Sequence, residues 1–268
     1  MVKERKYTLE DKPFRVGLIE GSCSEAYLSG NSKLMLVGGG ATQLFLRGEP
    51  YVLRPTTDVD FIANRATKKS ERRAWAKELA PQISSLGYRS TGGLSRHGAA
   101  VMFDDLSPDF GVHLDTFGEN FYRRHERRFC EEFEMAEIGE LEGKKIRYQS
   151  PRDMILNKLR RMTTLINMNN INLDSYQKGL IGALMNGDLD SVDTTGLAIG
   201  LSQLDRIRNQ NLEELEKQGY QGIIRQVSAY KVMKDLSDVK HIIDQCRKKE
   251  IQIDQRDFLR GLDLVLAS

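Results

Sequence analysis

The chain has 268 residues, of which 40% are hydrophobic and 29% are charged, and its formal net charge is +2. This composition is typical of a folded globular protein of one large or two ordinary domains, and the near-neutral charge excludes a protein that binds nucleic acid through its overall field. Cys23, Cys130 and Cys246 are odd in number and far apart, which argues against a disulfide framework or a structural zinc site. The N-terminal region lacks the apolar core of a signal sequence, and no run is apolar enough to span a membrane, so we expect a cytoplasmic protein.

Before residue 150, patterns typical of strands alternate with patterns typical of helices. The predicted helix covers 68–87, and Pro81 is expected to kink or interrupt it. The predicted strands cover 33–38, 57–63, 99–103 and 111–117.

After residue 150 the strand patterns end. Ser150 as N-cap, Pro151 at the first helical position and Asp153 in the first turn predict a helix start. Further helices are predicted over about 173–186, 201–217 and 220–248. The predicted fold class is therefore α+β, with a mixed sheet and flanking helices in an N-terminal domain, 1–149, and a helical C-terminal domain, 150–268.

The first feature that indicates chemistry is the segment "LVGGGA". A strand that runs into Gly38, Gly39 and Gly40 and then into a helix, predicted over about 41–47, aims backbone N–H groups at an anion, and a phosphate is the obvious candidate. The alternative is that the glycines only let the helix pack closely on the sheet. The segment is neither a P-loop nor a Rossmann fingerprint, because the required Gly-Lys-Ser/Thr and GxGxxG spacings are absent.

The second feature is a set of carboxylates on predicted strands. In "TTDVDFIA", Asp58 and Asp60 are two residues apart, so both point to the same face of a strand. Their mutual repulsion is relieved by a divalent cation, and Mg²⁺ held by carboxylates and substrate phosphates is a common solution. The segment "GVHLDTF" supplies a third candidate, Asp115, and His113 lies on the same strand face. The alternative is an exposed strand face with solvated aspartates.

Together "LVGGGA", "RPTTDVDF" and "HLDTF" resemble the signature of the nucleotidyltransferase superfamily, over roughly residues 33–117. In the second half, "SPRDMILNKLRRM" and "KVMKDLSDVKHII" are similar to segments of the AbiEii-type nucleotidyltransferases, the toxin components of type IV toxin–antitoxin systems and their relatives. The resemblance implies Mg²⁺-dependent transfer of a nucleoside monophosphate from an NTP to an acceptor, and a possible antitoxin partner. The spacing between Gly39 and Asp58 is longer than in the compact form of the motif, so we expect an extra turn or loop there.

The resemblance also implies a role for each matched residue. Gly38 and Gly39 would hold the triphosphate, with Gly40 in a variable position, and Thr57 would lie beside the nucleotide. Asp58, Asp60 and Asp115 would be the metal ligands and the catalytic carboxylates. The residues implied from the second half are Lys158, which would contact the nucleotide phosphates, and Asp235, which would line the cleft. For Lys158 the alternative is a solvated helix lysine.

Four basic clusters bear on the acceptor. Any one of them is typical of a solvated surface, but four together suggest a groove for a phosphate backbone, and Phe121, Tyr122 and Phe129 could stack unpaired bases. RNA is the first expectation, in particular the acceptor end of tRNA, and this expectation rests partly on analogy with the family that the chain resembles; a protein hydroxyl and a small molecule are the alternatives. The alternative to an enzyme is a binding module: a protein of the same fold that binds nucleotides or nucleic acid without catalysis. The clusters cover 65–73, 123–128, 144–147 and 159–162.

Overall fold

The structure is a computed structural model of the chain. It describes residues 34–46, 58–66, 68, 70–71, 74, 89–90, 101–104, 111–116, 119–141, 144–188 and 219–267. The described residues up to Ser150 belong to one compact unit, the sheet unit, and those from Pro151 belong to a second, the helical unit. Among the described helices, none combines the length and the hydropathy that a membrane crossing requires.

The sheet unit contains a mixed sheet whose described strands are seven in number. Strand β1 pairs antiparallel with β2 and parallel with β7, and β2 pairs parallel with β5. The order across the sheet is β3-β4-β5-β2-β1-β7-β6. The strands are β1 Leu34–Val37, β2 Asp58–Ala63, β3 Arg89–Ser90, β4 Val101–Asp104, β5 Gly111–Thr116, β6 Glu137–Leu141 and β7 Lys144–Tyr148.

The three helices of the sheet unit whose full span is described cover the two faces of the sheet. They are α1 Gly38–Phe45, α2 Glu119–Arg124 and α3 Glu126–Glu134. Helix α1 packs on the Leu36 face, where a Cβ added to Gly40 would lie 3.0 Å from Leu36 Cδ1. On the opposite face a buried cluster joins Tyr122 and Phe129 to the strands; its other members are Met35, Val37 and Ile62.

The helical unit consists, in its described part, of α4 Pro151–Asn169, α5 Ser175–Asn186, α6 Gly219–Lys248 and α7 Gln255–Leu266. Helix α4 buries Met154, Ile155, Leu159 and Met162 among its apolar side chains, as their 3–4-residue spacing predicts. Helix α7 approaches α4 closely, because a Cβ on Gly261 would lie 2.6 Å from Leu159 Cδ1.

The α+β class predicted from the sequence is confirmed, and the four predicted strands correspond to β1, β2, β4 and β5. The helix predicted to follow the three glycines starts earlier than expected, because Gly38 is already its first residue. The patterns did not identify α2, α3, α7 or the β6–β7 hairpin. The predicted helix 201–217 and most of the predicted helix 68–87 lie outside the described residues.

Candidate functional site

The register of two parallel strands brings the predicted carboxylate positions together. In the β2–β5 pair, Asp60 is the partner of Asp115 and Asp58 is the partner of His113. Because residues two apart on a strand share a face, and register partners share that face, these four positions lie on one side of the sheet. The side chains of Asp58 and Asp115 are not among those described. Their backbone positions are nevertheless adjacent to Asp60: Asp115 lies beside it on β5, and Asp58 precedes it by two residues at the first position of β2.

The Asp60 carboxylate lies against the first residue of α1. Val37 is the register partner of Asp60, so β1 ends beside the start of β2. Gly38 has φ +64°, and a Cβ at this position would lie 3.1 Å from Asp60 Oδ2. Only glycine combines this left-handed backbone with such a close approach at little cost. The Thr42 hydroxyl, 2.9 Å from the Gly38 carbonyl oxygen, donates to it and ties the turn to the next turn of the helix.

The three consecutive glycines have different surroundings. Gly38 provides the left-handed turn at Asp60, and Gly39 is half-buried. Gly40 is buried and lets α1 approach Leu36, which is the packing role considered above. Val37 at the N-cap position has no side chain that could cap the first N–H groups of α1, and the first turn has no acidic residue. The predicted contact of Gly38, Gly39 and Gly40 with a nucleotide stays a prediction.

The carboxylate positions suit a magnesium ion chemically. Carboxylate oxygens are hard donors of the kind that Mg²⁺ prefers, and it commonly uses one or two protein carboxylates together with phosphates of the substrate. Within the part of the chain whose side chains are described, no group of three or more His, Cys, Asp or Glu side chains could hold a metal. That search does not include the side chains of Asp58 and Asp115. Thr57, predicted to lie beside the nucleotide, is outside the described residues.

In the helical unit, Lys158 and Asp235 belong to one buried ionic cluster. The Lys158 side chain is 5% exposed, and its Nζ lies 2.7 Å from Asp238 Oδ2 and 3.8 Å from Asp235 Oδ1. Arg161 donates from Nε to Asp235 Oδ2 at 2.7 Å and from Nη2 to Oδ1. Two cations thus neutralise two fully buried carboxylates. The solvated-lysine interpretation of Lys158 is therefore wrong, because this lysine compensates buried charge.

Sequence reasoning singled out Lys158 and Asp235, counted Arg161 in the basic cluster 159–162, and gave Asp238 no role. The spacing contained a signal for the whole cluster, because residues three apart lie on the same face of a helix. Lys158 and Arg161 are three apart on α4, and Asp235 and Asp238 are three apart on α6. Two cations on one helix and two anions on another predict a pairing between the helices. The phosphate contact predicted for Lys158 and the cleft position predicted for Asp235 remain predictions.

The aromatic residues of the basic cluster 123–128 and its flanks do not have the role expected of them. Tyr122 is 1% exposed and Phe129 is fully buried, so neither can stack on a base, and that interpretation is wrong. Both lie on the inward faces of α2 and α3, which the sequence patterns did not identify as helices. The Phe121 side chain lies outside the described part. The arginines of the cluster divide differently: Arg123, Arg124 and Arg127 are exposed, and Arg128 is half-buried.

No protein-family model matches the chain, and no curated protein matches it. Among solved structures, the chain is similar to an antigenic nucleotidyltransferase-like protein from Paracoccidioides brasiliensis. The two chains share 17% sequence identity with a TM-score of 0.39, and the similarity covers 59% of this chain and 68% of the other. The function of this chain is therefore inferred from its own residues.

Proposed function

We propose that this chain is a Mg²⁺-dependent nucleotidyltransferase that transfers a nucleoside monophosphate from an NTP to an RNA acceptor. The observation that carries the proposal is the contact between the Asp60 carboxylate and the left-handed turn at Gly38. A carboxylate suited to a metal lies at the start of a helix whose N-cap residue, Val37, makes no side-chain cap hydrogen bond. This combination favours the binding of metal-bound phosphates, since a cation and a helix N-terminus both attract negative charge.

The proposed reaction is an in-line displacement at the α-phosphorus of the NTP. The acceptor hydroxyl oxygen forms a bond to this phosphorus, the bond from phosphorus to the oxygen that bridges to the β-phosphate breaks, and pyrophosphate leaves. Asp58, Asp60 and Asp115 would hold Mg²⁺, which would supply positive charge that offsets the charge of the triphosphate. Little covalent chemistry is left for the protein, so its residues act by position and charge.

Each residue of the site has a separate task in this proposal. The backbone of Gly38 and Gly39 binds phosphate oxygens, and Asp60 holds its carboxylate beside that turn. Asp115, the register partner of Asp60, accepts the proton of the attacking hydroxyl. Thr57, Lys158 and Asp235 are assigned to nucleotide binding by the resemblance of their segments.

The RNA acceptor and the toxin role are the finer parts of the proposal. Support for RNA comes from the exposed arginines of α2 and α3, Arg123, Arg124 and Arg127, since cations on a surface attract a phosphate backbone. Arg127 is partly neutralised, because its Nε lies 2.9 Å from Glu131 Oε1. The AbiEii type, with a cognate antitoxin as partner, rests on the segments "SPRDMILNKLRRM" and "KVMKDLSDVKHII".

The test is a label-transfer assay with wild type, Asp60→Asn and Glu137→Gln. Each protein is incubated with Mg²⁺, one α-labelled NTP at a time, and a lysate divided into RNA, protein and small-molecule fractions. We expect wild type and Glu137→Gln to label RNA, and Asp60→Asn to label nothing while it stays folded. Glu137 is the matched control because it is an exposed carboxylate of the same unit.

Other outcomes would correct the proposal at defined points. Label in the protein or small-molecule fraction would change the acceptor and leave the reaction class intact. NTP binding without transfer to any fraction would favour the silent binding module. An active Asp60→Asn variant would remove the metal assignment.

A further inference from the structure

The sheet unit contains a polar network formed by Gln149, Glu132 and Arg128. The Gln149 side-chain amide donates from Nε2 to Glu132 Oε2 at 2.9 Å. Both residues are buried, with 2% of Gln149 and 3% of Glu132 exposed. The second Glu132 oxygen, Oε1, lies 3.1 Å from Arg128 Nε. A carboxylate this deeply buried is costly unless it is paired and hydrogen-bonded, so the positions of its partners are strongly constrained.

The backbone of Gln149 connects this network to β1. Its N–H donates to the Leu36 carbonyl oxygen at 2.9 Å, immediately after the register pair of Leu36 and Tyr148. Gly38 follows Leu36 by two residues. The hydrogen bond therefore holds the last part of β1 at the point where the chain enters the left-handed turn.

Gln149 also lies on the carboxylate face of the sheet. Leu36 and Tyr148 are register partners on the α1 face, so the next residue of each strand, Val37 and Gln149, belongs to the opposite face. Val37 is in turn the partner of Asp60. The positions form one row across the sheet, in the order Asp115 on β5, Asp60 on β2, Val37 on β1 and Gln149, the residue after β7.

We propose that Gln149 and Glu132 are positioning residues for the nucleotide: they fix the end of β1 and with it the turn at Gly38. This inference rests on the proposed function, because it assigns the turn to phosphate binding. Neither residue needs to touch the substrate. Glu132 orients the Gln149 amide, the amide holds the backbone of Gln149, and that backbone holds Leu36.

The test compares three variants with wild type. Gln149→Met keeps the backbone N–H and the approximate length of the side chain but removes the amide donor. Glu132→Gln keeps an oxygen that can accept from Gln149. Glu131→Gln is the matched control, because it makes the same chemical change at the neighbouring, 60% exposed side chain. For each protein, binding of Mg²⁺ with the α,β-methylene analogues of ATP, CTP, GTP and UTP is measured together with hydrogen exchange of the amides at 37–40.

We expect Gln149→Met to weaken binding of the preferred analogue roughly tenfold and to speed exchange at 37–40. We expect Glu132→Gln to stay within about threefold of wild type, since its amide oxygen replaces the acceptor, and Glu131→Gln to change nothing. A purely structural role would lower the thermal midpoint of Gln149→Met and leave its affinity and the exchange at 37–40 unchanged, which would overturn the inference.

Two further results need separate interpretation: wild type that binds no analogue, and a Gln149→Met variant that does not fold. If wild type binds none of the analogues, the proposed function fails, and hydrogen exchange at 37–40 alone decides whether Gln149 holds the turn. If Gln149→Met does not fold, Gln149→Asn replaces it, because a side chain shorter by one methylene cannot maintain the 2.9 Å contact with Glu132. Unchanged exchange in a folded Gln149→Asn protein would contradict the proposal.

Discussion

At the residue scale, Gly38 illustrates how one backbone angle constrains a site. Replacing it with alanine places a Cβ at 3.1 Å from Asp60 Oδ2 on a backbone with φ +64°. We expect Gly38→Ala to lower the free energy of unfolding by about 1–2 kcal/mol and to impair transfer, because Asp60 must shift. Chemical denaturation and the label-transfer assay measure the two effects.

The matched control is Gly179→Ala in α5. Gly179 is exposed within a helix, and an added Cβ would meet nothing within 4 Å. The same substitution there is expected to stabilise by about 0.5–1 kcal/mol, because alanine loses less backbone entropy in a helix. A Gly38→Ala variant as stable and active as wild type would show that the turn tolerates a side chain.

Asp115 is expected to serve the attacking hydroxyl more than the nucleotide. Asp115→Ala should keep Mg²⁺-NTP affinity within roughly tenfold, about 1.4 kcal/mol, while transfer falls by orders of magnitude. Affinity, thermal midpoint and transfer rate are measured on one preparation. Proportional loss of stability and activity would instead mean that the aspartate is structural, and full activity would end its catalytic assignment.

Lys158 belongs to the ionic cluster of the helical unit. Lys158→Met leaves the buried carboxylates of Asp235 and Asp238 with less compensating charge. We expect the free energy of unfolding to fall by about 3–5 kcal/mol, as for other broken buried ion pairs. Urea denaturation measures it, and Lys178→Met, at an exposed lysine of α5, should change it by less than about 0.5 kcal/mol.

A double variant tests whether the stability lost in Lys158→Met comes from uncompensated negative charge or from the changed side-chain volume. Adding Asp238→Asn to Lys158→Met removes one buried negative charge, so part of the lost stability should return. If Lys158→Met alone has no effect on stability, the lysine does not compensate buried charge in solution.

At the scale of elements, the segment that follows β2 contains a short-range ion pair with a pH dependence. Glu71 accepts from Arg65 at 2.5 Å and from the Lys68 backbone N–H at 2.7 Å. These donors, Arg65 first, lower the pKa of Glu71 from an ordinary value of 4.5 to about 2. A depressed folded-state pKa stabilises the fold above pH 4.5, and this contribution is lost as the pH falls from 4.5 towards 2.

An NMR titration of the Glu71 carboxyl carbon tests this prediction. We expect a midpoint near 2 in wild type and a higher midpoint in Arg65→Ala, because the largest cause of the shift is removed. Both side chains are substantially exposed, so salt should weaken the effect. A midpoint unchanged by Arg65→Ala would exclude this pair as the cause.

The elements also differ in how far the sequence predicted them. β1 is a short apolar run, β2 and β5 alternate apolar residues with polar ones, and the start of α4 carries a proline at its first position. Segment 123–128 reads RRHERR and contains no apolar residue, so no apolar helical period marks α2 and α3 there. The inward side chains of these helices, Tyr122 and Phe129, were the missed signal.

At the scale of the whole molecule, the candidate residues divide between two compact units, the sheet unit with the carboxylate row and the helical unit with the ionic cluster. The sequence by itself determined the α+β class, the shared face of Asp58 and Asp60, and the apolar face of α4. These features follow from the strand period of two and the helix period of 3.6, which are properties of neighbouring residues.

Only the tertiary structure decided which of these residues meet. Lys158 and Asp238 are 80 residues apart in sequence, and Asp60 reaches Gly38 only because β1 and β2 pair in one register. Burial of Tyr122 and Phe129 likewise depends on the sheet beneath them. Contacts of this kind depend on the packing of distant elements, and no local pattern encodes that packing; the sequence therefore supplied the chemical groups, and the fold supplied their neighbours.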